Sequence, residues 1–474
     1  MVTGLSGGAR PPLSWRDALG NLLRSVLVMV HDTLSIAWLK LEFGLRIRRL
    51  ARMPAAVVMK TWCFGPDSVN PMADFYYGST VKLLEERGFR TVLLCGNARR
   101  GSRRAFARGV LARGGGCCVP EWLLVPVWAP FTTLCDQLAT SARLRRIAAQ
   151  TADETLALVA RFSSVDCLSP AVQRGARYFH IARCAVSRWR PHAFVTLYEG
   201  QPWEMPARHG AKAASPGCTT VGYQHTVIMP HSFSLLRPHA GSWELSAPEV
   251  TLCVGEVTKT MMEAGHLPLG TRLVAYGSFR RAAGDGASAS PRPGRRTVLV
   301  LPEGIRAEAL ILFNFAAAAA RALPDHRFVF RCHPVLPFPQ IRGDLDGAPE
   351  QCPNVEVSTR GIEEDFARCS AVLYRGSSAV LYAVLHGLKP IYLHADRYPH
   401  VDPLFELGAW REHTASVEEV AAILGRYAAT ADVDVEREWK AAREYVNAYS
   451  VPVDHASVDR FVQAIGLSPT GIGA

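Results

Sequence analysis

The hydrophobic pattern changes period several times along the chain. Over residues 22–45 apolar positions recur every three or four residues, interrupted by Arg24, His31, Asp32, Lys40 and Glu42. That spacing predicts an amphipathic helix, too polar at those positions for a membrane span. Residues 55–62 form a short apolar run suited to a buried strand, 73–87 read as a helix closed by Gly88, and 91–95 as a second strand. The Arg- and Gly-rich stretch 96–116 predicts a mobile basic loop, and 122–128 a further buried strand. Helical periodicity dominates 134–188, after which 192–197, 219–223, 250–254 and 272–276 give short strands. Residues 281–296 shift to Ala, Gly, Ser, Pro and Arg, as expected of an interdomain connection. The pattern then restarts, with strands at 297–301, 328–332, 354–358, 371–374 and 390–393 and helices at 307–323, 362–368 and 378–386. A final helical stretch, 417–465, is long enough to cross back to the first half. The chain therefore divides into an N-terminal basic helical segment (1–54), a first Rossmann-like domain (55–280), a linker (281–296) and a second Rossmann-like domain (297–474). The fold class predicted is α/β, with two parallel sheets facing a cleft at the carboxyl ends of their strands.

Composition narrows this picture only in places. The 474 residues are 49% hydrophobic and 20% charged, which suits folded domains rather than a disordered or polytopic membrane chain. A net charge of +11 favours anionic partners. The twelve cysteines lack metal-site spacing and include the adjacent Cys117-Cys118, so they read as reduced residues of a cytoplasmic protein. The N-terminal segment shows no cleavable-signal pattern and continues into Arg46, Arg48, Arg49 and Arg52. Two readings of it stay open: docking at the inner face of an anionic cytoplasmic membrane, and packing on its own domain. A nucleic-acid partner is disfavoured, because Arg99, Arg100, Arg103 and Arg104 have only Phe106 interleaved.

Candidate chemistry concentrates at strand ends. Tyr374-Arg375-Gly376-Ser377-Ser378 places a tight turn and two hydroxyls between a buried strand and a helix start, which suits a phosphate. Arg331-Cys332-His333-Pro334 follows another strand, and proline there fixes the backbone beside an imidazole able to donate to a phosphate or protonate a leaving group. Arg306, after Pro302-Glu303-Gly304, is a further candidate for the nucleotide, and Arg280 for an anionic substrate. In the first half, Tyr198-Glu199-Gly200 follows a strand and Gln201-Pro202-Trp203-Glu204 adds a second carboxylate. Glu199 is the better-placed base, with Glu204 as the alternative. Gln201, Gln224 and His225 are candidates for the acceptor side. Asp344-Leu345-Asp346 lies in a Gly-rich loop, so a metal-independent reaction without a cofactor is expected.

His333-Pro334, Ser377-Ser378 and Glu199-Gly200, in that architecture, resemble the motifs of GT-B glycosyltransferases that use CMP-activated acidic sugars: bacterial sialyltransferases, polysialyltransferases and Kdo transferases of surface polysaccharide biosynthesis. The resemblance covers the chain from about residue 55. It implies a GT-B fold, phosphate contacts from His333, Ser377 and Ser378, a catalytic base at Glu199, a nucleotide-sugar donor and a glycan or lipid-linked acceptor. The family's second acidic residue is replaced here by Tyr198. If the reaction retains configuration, Glu204 or Glu199 becomes a nucleophile instead. Two other reaction classes share the architecture: CDP-glycerol or CDP-polyol phosphotransfer, and UDP-GlcNAc 2-epimerisation.

Overall fold

A computed structural model describes residues 15–50, 54–99, 101–232, 235, 247–265, 271–282, 284, 286 and 289–468. Residues 1–14, Arg52 and Arg100 lie outside the described residues, as do the side chains of Arg48 and Arg49. The first sheet has seven strands: β1 (Val57–Cys63), β2 (Thr91–Asn97), β3 (Cys118–Pro120), β4 (Ala193–Leu197), β5 (Thr219–Gln224), β6 (Val250–Cys253) and β7 (Arg272–Ala275). They run in the order β3-β2-β1-β4-β5-β6-β7, and every pairing is parallel. The second sheet has six: β8 (Thr297–Pro302), β9 (Arg327–Phe330), β10 (Val355–Val357), β11 (Ala371–Arg375), β12 (Lys389–Leu393) and β13 (Glu412–Thr414). Its order is β10-β9-β8-β11-β12-β13, again all parallel. Both faces of such sheets are covered by helices, which is why β4, β11 and β12 are buried at every position and are mostly apolar, with Thr196, Arg375 and Lys389 as the exceptions. Strand order reverses at β1/β4 and at β8/β11, and a crevice opens beyond the carboxyl ends of the strands there. Two doubly wound α/β sheets of this kind, with their carboxyl ends on one cleft, form the GT-B architecture.

The chain returns to the first sheet at its C-terminal end. The helix Asp432–Tyr449 packs on both the helix Val380–Leu385 of the second half and the helix Glu256–Ala264 of the first. Beyond it, the Ser278 amide donates to Val451 O (2.8 Å) and the Val451 amide to Val254 O (2.9 Å). The helix His455–Ala464 then packs on β7, and Arg87 Nε donates to Asp459 (2.6 Å). Gly255 is required at this crossing, because a Cβ there would lie 2.3 Å from Ala448 O.

Four expectations are corrected. The helix expected at 73–87 is confined to Thr80–Glu85, since Asp74 accepts from the amides of Tyr76 and Tyr77 and holds the preceding residues in a turn. The basic stretch 96–116 contains a helix, Arg103–Arg113, capped by Ser102 and buried through Phe106, Ala107 and Val110. The strand expected at 122–128 is instead β3, Cys118–Pro120, followed by a single 3-10 turn. The strand β13 had no counterpart in the sequence reading.

The N-terminal helix, Trp15–Leu50, is two-faced in an unusual way. Its inner face is buried through Ala18, Ser25, Asp32, Ile36, Leu39 and Phe43. Ser25 Oγ donates to Leu168 O (2.6 Å), and Asp32 receives Arg103 (2.6 Å) and Arg177 (2.5 Å), whose guanidiniums both stack on Trp122. The opposite face exposes Trp15, Leu19, Leu23, Leu27, Val30, Leu34, Trp38, Leu41 and Leu45.

Candidate active site

A cavity of about 590 Å³ lies between the two sheets and is lined by strand ends of both. Parallel register explains what meets there. On the first sheet Leu197 of β4 pairs with Tyr223 of β5, so Glu199 and His225, each two residues further on, face one another. His225 Nε2 donates to Glu199 Oε1 (2.8 Å), and Gln201 Nε2 donates to its other oxygen (3.3 Å). Burial pushes the Glu199 carboxyl up, but the His225 hydrogen bond and charge, the Gln201 amide and the charge of Arg280 together hold it below the ordinary glutamate value. It is therefore a carboxylate at neutral pH, with its side chain 24% exposed towards the cavity. The His225 ring packs edge-on against Tyr76 (4.9 Å), and its Nδ1 has no hydrogen-bond partner among the described residues.

Glu204 does different work. It opens the helix Glu204–Ala214, is buried, and accepts from the amides of Glu199 (2.9 Å) and Gly200 (3.1 Å). Burial pushes its carboxyl up to about 7 against those bonds and the charge of Arg208. It stands behind the Glu199 loop, and among the described carboxylates of the first sheet Glu199, not Glu204, lines the cavity. Gln224, expected on the acceptor side, is fully buried and is engaged with Thr226 O and the Val254 amide. Gln201 and Gln224 thus shape the wall from behind, whereas His225 lies on it.

On the second sheet the same logic aligns three strand ends. Arg375 of β11 pairs with Pro302 of β8, which sets Gly376 beside Glu303, and Val300 pairs with Phe330, which sets Glu303 beside His333. Gly376 has φ +73, which favours glycine, and a Cβ on it would meet Glu303 Oε2 at 2.6 Å and push that side chain aside. Ser377 and Ser378 follow at the mouth of the helix Val380–Leu385, and both line the cavity with His333 and Pro334. The turn rests on a rigid base. The fully buried Arg375 binds Glu308 and donates to Tyr392 Oη (3.1 Å), Leu393 O (3.1 Å) and Pro399 O (2.9 Å), while Tyr374 Oη donates to Asp402 (2.6 Å). The His333 Nδ1 accepts from the Val335 amide (3.3 Å), and burial with the charge of Arg280 lowers its pKa.

Of two further cavity residues, Glu303 was not singled out from sequence, whereas Arg280 was, as a candidate for an anionic substrate. Burial, with the charge of Glu308 and against that of Arg375, pushes the Glu303 carboxyl up to about 7, and no side-chain hydrogen bond from the described residues offsets it. Arg280 lines the cavity close enough to lower both Glu199 and His333, and so brings one cation to both walls. Arg306, in contrast, pairs with Asp344 and donates to Gln340 O (2.7 Å), outside the cavity lining. Asp346 is likewise engaged, accepting from Asn314 (2.9 Å).

No protein-family model and no curated relative matches the sequence. Among solved structures, the chain is similar to the glycotransferase of kitacinnamycin (16% identity, TM-score 0.49, covering 87% of this chain and 99% of that one). It is similar to the calicheamicin glycosyltransferase CalG4 to the same extent. It is also similar to UDP-GlcNAc 2-epimerase from Neisseria meningitidis (9% identity, TM-score 0.46, covering 86% and 99%). At these identities the likeness is one of overall fold.

Proposed function

We propose that the protein is a glycosyltransferase that moves a sugar from a nucleotide-activated donor to a hydroxyl of a glycan or lipid-linked acceptor. The observation that carries this reading is the pairing of two chemistries across one cavity. A carboxylate held ionised by His225 projects from the first sheet, and the turn of Gly376, Ser377 and Ser378 lines the same cavity beside His333 from the second. Glu199 takes the proton of the acceptor hydroxyl as that oxygen bonds to the anomeric carbon. The bond from that carbon to the phosphate oxygen breaks, and the departing negative charge falls on the phosphate cradled by Ser377, Ser378 and His333. These residues stabilise that charge directly, so the transfer is proposed to be metal-independent.

The donor is proposed to be a CMP-activated acidic sugar such as sialic acid or Kdo, for a role in surface polysaccharide biosynthesis. Support comes from the motif resemblance and from Arg280, a cation that lines the cavity and acts electrostatically on both Glu199 and His333, which suits a donor carrying a carboxylate. Thermal-shift titration of the purified protein with CMP-, CDP- and UDP-sugars tests this reading. Stabilisation by the CMP-sugar is expected, and stabilisation by a UDP-sugar alone would overturn the donor assignment. Turnover of a UDP-sugar without any acceptor would overturn transfer itself.

A further inference from the structure

The outer face of the helix Trp15–Leu50 has no role in the cleft, and its pattern is continuous. The apolar positions from Trp15 to Leu45 fall within an arc of about 140° at roughly 100° per residue, on the side opposite Asp32. Leu41 is 85% exposed and Leu27 70% exposed, so no other part of the described chain covers them. We propose that this face lies in the surface of an anionic lipid bilayer, with the helix parallel to the membrane plane.

Charge and geometry both favour that occupant. Arg16, Arg24 and Arg46 are exposed on the helix, and Arg104, also exposed, stacks on Trp38 at 4.6 Å. The helix exposes two acids, Asp17 and Glu42, and Glu42 is neutralised by Arg104 and Arg108. The two tryptophans of the stripe, Trp15 and Trp38, are the side chains best suited to a bilayer interface. The segment Trp15–Arg46 contains an 18-residue stretch of mean hydropathy 1.4, enough by length and composition to cross a membrane, so its polar positions do not by themselves exclude a span as the sequence suggested. Its inner face, however, fastens it along the domain: Asp32 compensates the buried Arg177, and Ser25 is bonded to Leu168. Pulling the helix into a spanning orientation would strip Arg177 and Arg103 of that carboxylate. A second copy of the chain fits less well. Four-residue steps outnumber three-residue steps along the stripe, so it advances faster than the 3.5-residue seam of a left-handed helix pair. The inference is independent of which donor the cleft takes.

Flotation of the full chain with vesicles of phosphatidylcholine containing phosphatidylglycerol, against phosphatidylcholine alone, tests the proposal. Binding is expected to be at least about tenfold stronger to the anionic vesicles and to fall with salt. The triple variant Leu27→Glu, Leu34→Glu, Leu41→Glu should lose it by at least about tenfold, with unchanged circular dichroism. Because these side chains are exposed, the fold is not at stake; Arg24→Glu with Arg46→Glu, both exposed and outside the apolar arc, should weaken anionic preference alone. Donor-induced thermal shift should be unaltered in both variants, which separates this inference from the cleft reading. No vesicle binding, resistance to alkaline extraction, or a wild-type dimer that dissociates in the triple variant would each overturn it.

Discussion

Glu303 offers a sharp test of how the donor is held. It lies between His333 and Gly376 on neighbouring strand ends, and its carboxyl titrates near 7. Below that value it is neutral and can sit beside a phosphate; as pH rises through 7 it acquires a negative charge facing the same group. A nucleotide-sugar phosphodiester keeps its own charge over this range, so the change belongs to the protein. At roughly 8 Å and an effective dielectric of about 20, one added charge costs about 2 kcal/mol, or some thirtyfold in affinity. Bound donor would raise the Glu303 pKa by the same amount, so donor affinity measured by calorimetry should fall about fifteenfold between pH 6 and pH 8.5 and reach the full factor only about one pH unit higher. Titration of His333 contributes at lower pH, since its pKa is shifted below the usual histidine value. Glu303→Gln should hold the pH 6 affinity and flatten the profile above pH 7. If affinity is flat or rises across this window in the wild type, or if Glu303→Gln binds weakly even at pH 6, the carboxylate is accepting hydrogen bonds from the donor and the reasoning fails.

Two further substitutions separate the walls of the cleft. Gly376→Ala forces a left-handed backbone and a 2.6 Å contact onto Glu303; a cost of about 1–2 kcal/mol concentrated at the phosphate turn should weaken donor binding about tenfold, read by thermal shift. Wild-type affinity would show that the turn does not touch the donor. Glu204→Ala strips the acceptor from two loop amides, a loss of about 1.5–3 kcal/mol; turnover should drop at least tenfold while donor Kd stays within about twofold, compared by kinetics and calorimetry. An equal fall in both would place Glu204 in the donor site.

The strand ends were legible because buried parallel strands are compact apolar runs, and the residue after each run is where a cleft side chain must stand. His333, Gly376, Ser377, Ser378 and Glu199 were found that way. Partners across strands were not, since register is a non-local property. Glu199 and His225 stand equally far beyond paired residues of β4 and β5, and Glu303 stands beside Gly376 for the same reason. A strand order inferred first would have exposed both pairs. Arg306 misled because a helix start suggests an anion, while Asp344, distant in sequence, claims its guanidinium. The helix Arg103–Arg113 was hidden by its arginines, which mask the spacing of Phe106 and Val110. Glu204 looked like a second catalytic carboxylate because sequence shows its proximity to Glu199 without showing that it faces the loop's amides.

The most direct test of the central claim compares Glu199→Gln with Ser377→Ala, Ser378→Ala, measuring donor Kd by calorimetry and single-turnover transfer on the same preparations. The account predicts near-native donor affinity and at least about a thousandfold slower transfer for Glu199→Gln, and donor affinity weakened at least about tenfold for the double serine variant. Equal losses of donor affinity in the two variants would contradict the division of the cleft into a base and a phosphate cradle.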